Sequence, residues 1–186
     1  MSQGVLVRYG VVSEVARLMH ELHEPIERGA RVVVQSARGL ELATLLEPIL
    51  PRVPDGPSEN GSARDAETRE ISRSHILRRA TSEDESRQLE LRRDGEREFA
   101  AWRTRIEEWN LRLQLIDLEW TLDRTKLILY VLNERGPECT KLALAAAAAG
   151  LGIVEVQPVA AEGLVRIEAA AGGGGCGSGG CGCTVH

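Results

Sequence analysis

A chain of 186 residues with a net charge of −5 fits one domain or two small ones and argues against a strongly cationic nucleic-acid scaffold, local basic patches aside. Only 3% of the residues are aromatic, so the core must come from Leu, Val, Ile and Ala, with Trp102, Trp109 and Trp120 as bulky anchors. No run approaches the roughly 18–20 apolar residues that cross a bilayer. The opening MSQGVLVRYG has neither the basic lead nor the apolar stretch of a signal peptide, and the expectation is a cytoplasmic protein with its thiols reduced.

Residues 1–50 read as a β module. VLVRYG and RVVVQS are rich in β-branched residues, and LELATLLEPIL follows the turn signal Arg38-Gly39. VVSEVARLM between them alternates well enough for a strand and is short enough for a helix. The expected form is a small, strongly bent sheet or barrel. Residues 51–74, poor in large apolar side chains and rich in Pro, Gly, Ser, Asp and Glu, read as a flexible linker that buries too little surface to offset its chain entropy.

Residues 75–171 read as an α+β module. Thr81 followed by Asp84 predicts a capping box with a shortened acid and a helix start. Phe99, Trp102, Ile106 and Trp109 then recur at spacings of three and four, forming one buried stripe. Glu83 and Arg87 stand at the spacing of an ion pair. Gly95 falls mid-helix, at a cost of about 1 kcal/mol relative to alanine, and Asn110 stops the helix. In LRLQLIDLEWTL the apolar face switches phase by one residue, which predicts a bulge or a strand covered on both sides. Asp123-Arg124 makes a turn into KLILYVL, apolar on both faces and so central in its sheet. Pro137 and Gly150 bracket an alanine-rich helix, GIVEVQPV is a further strand, and LVRIEA is a candidate for another. The fold class is α+β: a small N-terminal β barrel or sheet, then a helix-covered, mostly antiparallel sheet.

The order of these motifs resembles the conserved C-terminal domain of the polymerase-suppressor ("PSP-one") family, whose members include the YaaT/RicT type of bacterial cell-fate regulator. The residues that carry the resemblance are Arg38, Gly39 and Glu41; Arg78, Arg79, Ala80, Thr81 and Asp84; and Asp117, Glu119, Asp123 and Lys126, over about residues 4–158. The family's second helix opens with an aromatic–arginine–acid–leucine pattern, whereas this chain has PECTKLALAAAAA. The resemblance implies a non-enzymatic cytoplasmic regulatory adaptor that works through protein partners, an RNA-cleaving enzyme complex among them, in RNA processing or developmental regulation.

Residues 172–186 read as a disordered Gly/Cys-rich tail. Cys176, Cys181, Cys183 and His186 make C-x4-C-x-C-x2-H, enough soft or borderline ligands for tetrahedral zinc or an iron–sulfur cluster of mixed ligation. YaaT/RicT-type regulators carry a glycine-rich stretch ending C-G-x-x-x-C-C that is associated with iron–sulfur chemistry. Here the third cysteine is displaced by one glycine, and the ligand set is expected to be completed by a partner's cysteines. A metal- or cluster-binding protein working through this tail is therefore the alternative function.

A third option is direct nucleic-acid binding. Arg38, Arg78 and Arg79 are the candidate partner or phosphate contacts, with Arg73, Arg92 and Arg93 nearby. The competing reading is a solvated surface of mixed charge. His20 and His23 in MHELHEP lack the H-E-x-x-H spacing and read as an exposed polar turn. Asp117, Glu119 and Asp123 read as hairpin and turn chemistry rather than a catalytic group. Cys139 stands at a helix N-terminus, where a lowered pKa competes with plain burial. No catalytic residues or firm cofactor are assigned.

Overall fold

The computed structural model describes residues 3–22, 25–49, 74–132, 137–160 and 163–165. Strands β1 (Gln3–Tyr9), β2 (Glu14–His20), β3 (Arg31–Gln35), β4 (Leu40–Ile49) and β5 (His75–Arg79) form a closed barrel in the order β1-β2-β5-β3-β4. Alternation decides which side chains fill it. Val5, Val7, Leu18, Val32, Val34, Ala43, Leu45 and Ile76 point inward and are buried together. VVSEVARLM supplies a strand, not a helix: Glu14–Tyr9 through His20–Gln3 pair antiparallel with β1.

β5 lies beyond the expected linker, in the stretch assigned from sequence to the second module, yet it is a barrel strand. It pairs along β3 and meets β2 at Met19–His75, the latter in parallel. The reason is burial: Ile76 fills the barrel interior at 4% exposure, while its neighbours on the strand face outward.

Helix α1 (Ser82–Glu108) follows at once. Its capping box is present, with the Thr81 hydroxyl accepting from the Asp84 amide and the Asp84 carboxylate accepting from the Thr81 amide. At the far end Asn110 has φ +53°. The Asn110 amide donates to the Glu107 carbonyl and the Leu111 amide to that of Ile106, the paired bonds that close a helix with a left-handed residue. At 27 residues the helix is about 40 Å long and reaches across both layers. Leu91 packs on Val33, Leu42 and Leu122 outside the barrel, while Trp102 and Ile106 pack on the second sheet. Phe99 and Trp109 are half-buried at the edges of the expected stripe. Arg87 meets Glu90 at 3.4 Å rather than the expected Glu83. Gly95 is required by contact: a Cβ there would lie 2.9 Å from Leu118 Cδ1 and 3.3 Å from the Leu118 carbonyl oxygen.

The second sheet has the order β6 (Gln114–Trp120), β7 (Lys126–Leu132), β8 (Ile153–Ala160), β9 (Gly163–Leu164). The phase switch in β6 is a bulge, as expected: its register against β7 shifts between Leu115 and Asp117 and leaves Ile116 exposed. β7 is central, antiparallel to β6 and parallel to β8. The parallel step is made by α2 (Glu138–Ala148), which ends at Gly150, φ +70°. Leu127, Leu129 and Val131 face the helices with Leu142 and Ala146. Ile128 and Tyr130 face the other way, beneath Val11 and Val12 of the β1–β2 turn. The second sheet is thus enclosed between two helices and the barrel. Among the described residues, no helix is long and apolar enough to cross a membrane.

Candidate functional site

A buried polar cluster joins the barrel to the second sheet. The turn between β3 and β4 is held by reciprocal backbone bonds between Ser36 and Gly39. Gly39 has φ +141°, and a Cβ there would come within 3.0 Å of Thr121 Cγ2, so the turn can press on the second sheet only with glycine at this position. Arg38, 5% exposed, extends inward from this turn. Its guanidinium donates to Glu41 and to the Tyr130 hydroxyl, the latter at 2.6 Å, and its Nη1 lies 3.6 Å from Glu119. Tyr130 donates to Glu119, whose second oxygen accepts the Val11 amide at 3.0 Å. Ser36 donates to the other oxygen of Glu41, and the Tyr9 ring lies 5.0 Å from the guanidinium carbon. Gly10, φ +78°, leaves the room this needs, because a Cβ there would stand 2.7 Å from Arg38 Nη2. Arg38 Nε has no hydrogen-bond partner among the described residues.

One cation thus faces two buried carboxylates. Burial raises Glu41 to about 7, against the pull of Arg38 and Ser36, and it raises Glu119 as well. Burial and the neighbouring carboxylates hold Tyr9 and Tyr130 above the usual phenol range. Both therefore remain neutral, and Tyr130 remains a donor. Burial also works against the charge on Arg38, but Glu41, Tyr130 and Glu119 outweigh it and the guanidinium stays protonated. A hollow of about 410 Å³ reaches Glu119 from outside between Arg8, Ser13, Arg31 and Gln88.

The outer side of the same junction carries a larger groove, about 850 Å³, between β5 and the first turns of α1. Its floor is apolar: Val33, Leu40 and Leu122, with Leu77 standing 42% exposed beside them. Its rim is charged. Arg78 grips Asp84 with both guanidinium nitrogens, one contact at 2.8 Å. Those bonds, helped by the Thr81 amide and hydroxyl, hold Asp84 well below the usual carboxylate range. Asp123 is also lowered: burial, which would raise it, is outweighed by hydrogen bonds from Thr121 and Thr125.

Residues 74–136 match the PSP1 C-terminal conserved region. That similarity spans about a third of the chain. No curated protein and no solved structure gives a significant match. The matched stretch takes in β5, α1, β6 and β7. It therefore supplies Glu119 and Tyr130 to the buried cluster and Arg78, Glu83 and Asp84 to the groove.

Several sequence expectations change here. Arg38, expected as a partner or phosphate contact, is enclosed by Glu41, Glu119 and Tyr130 and is out of reach of either. Arg78 is exposed, but Asp84 already occupies its guanidinium. Arg79 is exposed and donates to the Pro25 carbonyl at 2.6 Å, and Arg92 pairs with Asp117 at 3.0 Å. Glu119 is not hairpin chemistry but half of the buried acid pair. Asp123 is turn chemistry, as expected. His20 is buried at the end of β2 rather than in an exposed turn. Cys139 packs against the core under the helices. Among the described residues no group of His, Cys, Asp and Glu is able to hold a metal ion. Cys176, Cys181, Cys183 and His186 lie outside the described residues, as do Arg73 and His23.

Sequence reasoning did not connect Arg38 to Glu119 or Tyr130. The signal was faint: an acid opposite Ile128 of the adjacent strand, and a tyrosine inside a run that is otherwise aliphatic.

Proposed function

We infer that the protein is a non-enzymatic regulatory adaptor that acts through protein partners, in the manner implied by its resemblance to YaaT/RicT-type regulators of RNA processing and development. One observation carries this reading. The charged side chains of the family-like motif are engaged within the chain itself: Arg78 with Asp84, Asp117 with Arg92, Glu119 with Tyr130, Asp123 with Thr121 and Thr125, and Lys126 with Glu155. Groups fixed in this way hold a shape. What they leave open to solvent is a surface that includes the apolar-floored groove beside α1.

The test is affinity capture from the native cell with the full-length chain, beside a variant carrying Cys176→Ser, Cys181→Ser and Cys183→Ser, with iron and zinc measured on both. The adaptor reading predicts a specific protein partner on both chains, which binds stoichiometrically once purified. Loss of that partner together with iron or zinc from the serine variant supports the alternative, a cluster or metal site in the tail. Failure of any partner to bind the purified wild-type chain ends the adaptor reading.

A further inference from the structure

The geometry points to the groove between β5 and the first turns of α1 as the site for a protein segment that presents an apolar side chain next to a lysine or arginine. This rests on the reading that the protein works through protein partners, and it adds the chemistry of the contact. The floor is apolar, and Leu77 is a large side chain left 42% exposed on the outer face of a barrel strand. A partner residue covering it gains the free energy of removing both surfaces from water. The volume, about 850 Å³, lies in the range that encloses a drug-sized ligand, enough for a few side chains.

The rim selects the charge. Around the groove stand four acids, Glu83, Asp84, Glu90 and Asp123, against two bases, Arg78 and Arg87. Both bases are already engaged, Arg78 by Asp84 and Arg87 by Glu90, so the remaining excess is negative and centred on Glu83 and Asp123. Complementarity then calls for a basic partner.

The same facts turn away a phosphate backbone. A helix N-terminus attracts anions through its free amides and dipole. Here the capping box occupies the Thr81 and Asp84 amides, and Glu83, Asp84 and Glu85 fill the first turn with negative charge.

The experiment selects a displayed random-peptide library on immobilised full-length protein, then measures labelled consensus peptides by fluorescence anisotropy. The proposal expects a consensus joining a Leu-, Ile- or Phe-like residue to Lys or Arg. Leu77→Ser should weaken binding about ten-fold, and Glu83→Gln should weaken it less and reduce its salt dependence. Glu83→Lys should abolish binding of the basic peptide and restore it when that peptide's lysine becomes glutamate, a gain that damaged folding cannot produce. An acidic consensus, no enriched consensus, or affinities indifferent to all three substitutions overturns the proposal. So does a single-stranded RNA probe whose binding is lost in the same variants. If a cellular partner holds the Leu77→Ser chain as tightly as wild type, the groove assignment falls and the adaptor reading stands. If no partner exists, the adaptor reading itself falls.

Discussion

Arg38 donates to the Tyr130 hydroxyl at 2.6 Å, tying the tip of the β3–β4 turn to the central strand of the second sheet. The bond joins residues 92 positions apart and is itself buried. It also places the guanidinium between Glu41 and Glu119, so a single side chain neutralises charge from both layers.

Replacing Arg38 with Met therefore leaves two buried acids without their cation. Breaking such a cluster costs about 3–5 kcal/mol, a large share of the roughly 5–15 kcal/mol that keeps a protein folded. Tyr130→Phe removes one donor and one acceptor and should cost about 1–3 kcal/mol. Urea unfolding of both variants beside wild type measures the order, which must be Arg38→Met below Tyr130→Phe below wild type.

Stability should fall as pH rises toward neutrality. Glu41 is raised from 4.5 to about 7, and Glu119 is raised too, so between these limits the folded chain binds more protons than the unfolded one. The contribution is fully present below the unfolded value and is lost as pH passes through the folded one. Asp84 and Glu138 are lowered, and their contributions disappear only in more acidic solution. Urea midpoints at about pH 5 and about pH 8 should differ in that direction, and Glu41→Gln should flatten the difference. A wild-type midpoint that rises over this range contradicts the assignment.

Gly95→Ala is expected to destabilise, although alanine is favoured over glycine in a helix by about 1 kcal/mol. The added methyl meets Leu118 Cδ1 at 2.9 Å and the Leu118 carbonyl oxygen at 3.3 Å, forcing α1 off the sheet, with overpacking of this kind costing about 1–3 kcal/mol. Thermal unfolding decides it. A higher melting temperature for Gly95→Ala shows that the helix gives way freely.

Thr81→Ala should lose about 1 kcal/mol, the usual value of an N-cap, because the hydroxyl both accepts from the Asp84 amide and donates to the Asp84 carboxylate. Circular dichroism followed through urea unfolding checks it. Asp84→Asn should also release Arg78, visible as a gain of affinity for an anionic probe such as heparin.

Features with short-range causes were legible in the sequence. The start of α1 follows from Thr81 and Asp84, its end from Asn110, the β6 bulge from the Leu115–Ile116 phase switch, and the central place of β7 from its two apolar faces. Features that depend on distant partners were not. HILRR is too short to announce that it completes a barrel begun in the first fifty residues, and its partner strand β3 ends at Gln35. Arg78 and Arg38 read alike as basic residues in charged surroundings. Only the fold reveals that one is capped by an acid six positions away and the other by acids on two separate layers. Gly95 looked like a local cost because Leu118, the residue that needs it, belongs to another element.

The most direct test of the central claim is hydrogen–deuterium exchange on the full-length chain, alone and with its purified partner. The account predicts slowed exchange confined to β5, the first two turns of α1 and the Thr121–Thr125 turn, with α2 and β8 unchanged. Protection of α2 and β8 with β5 and α1 unaffected would contradict it.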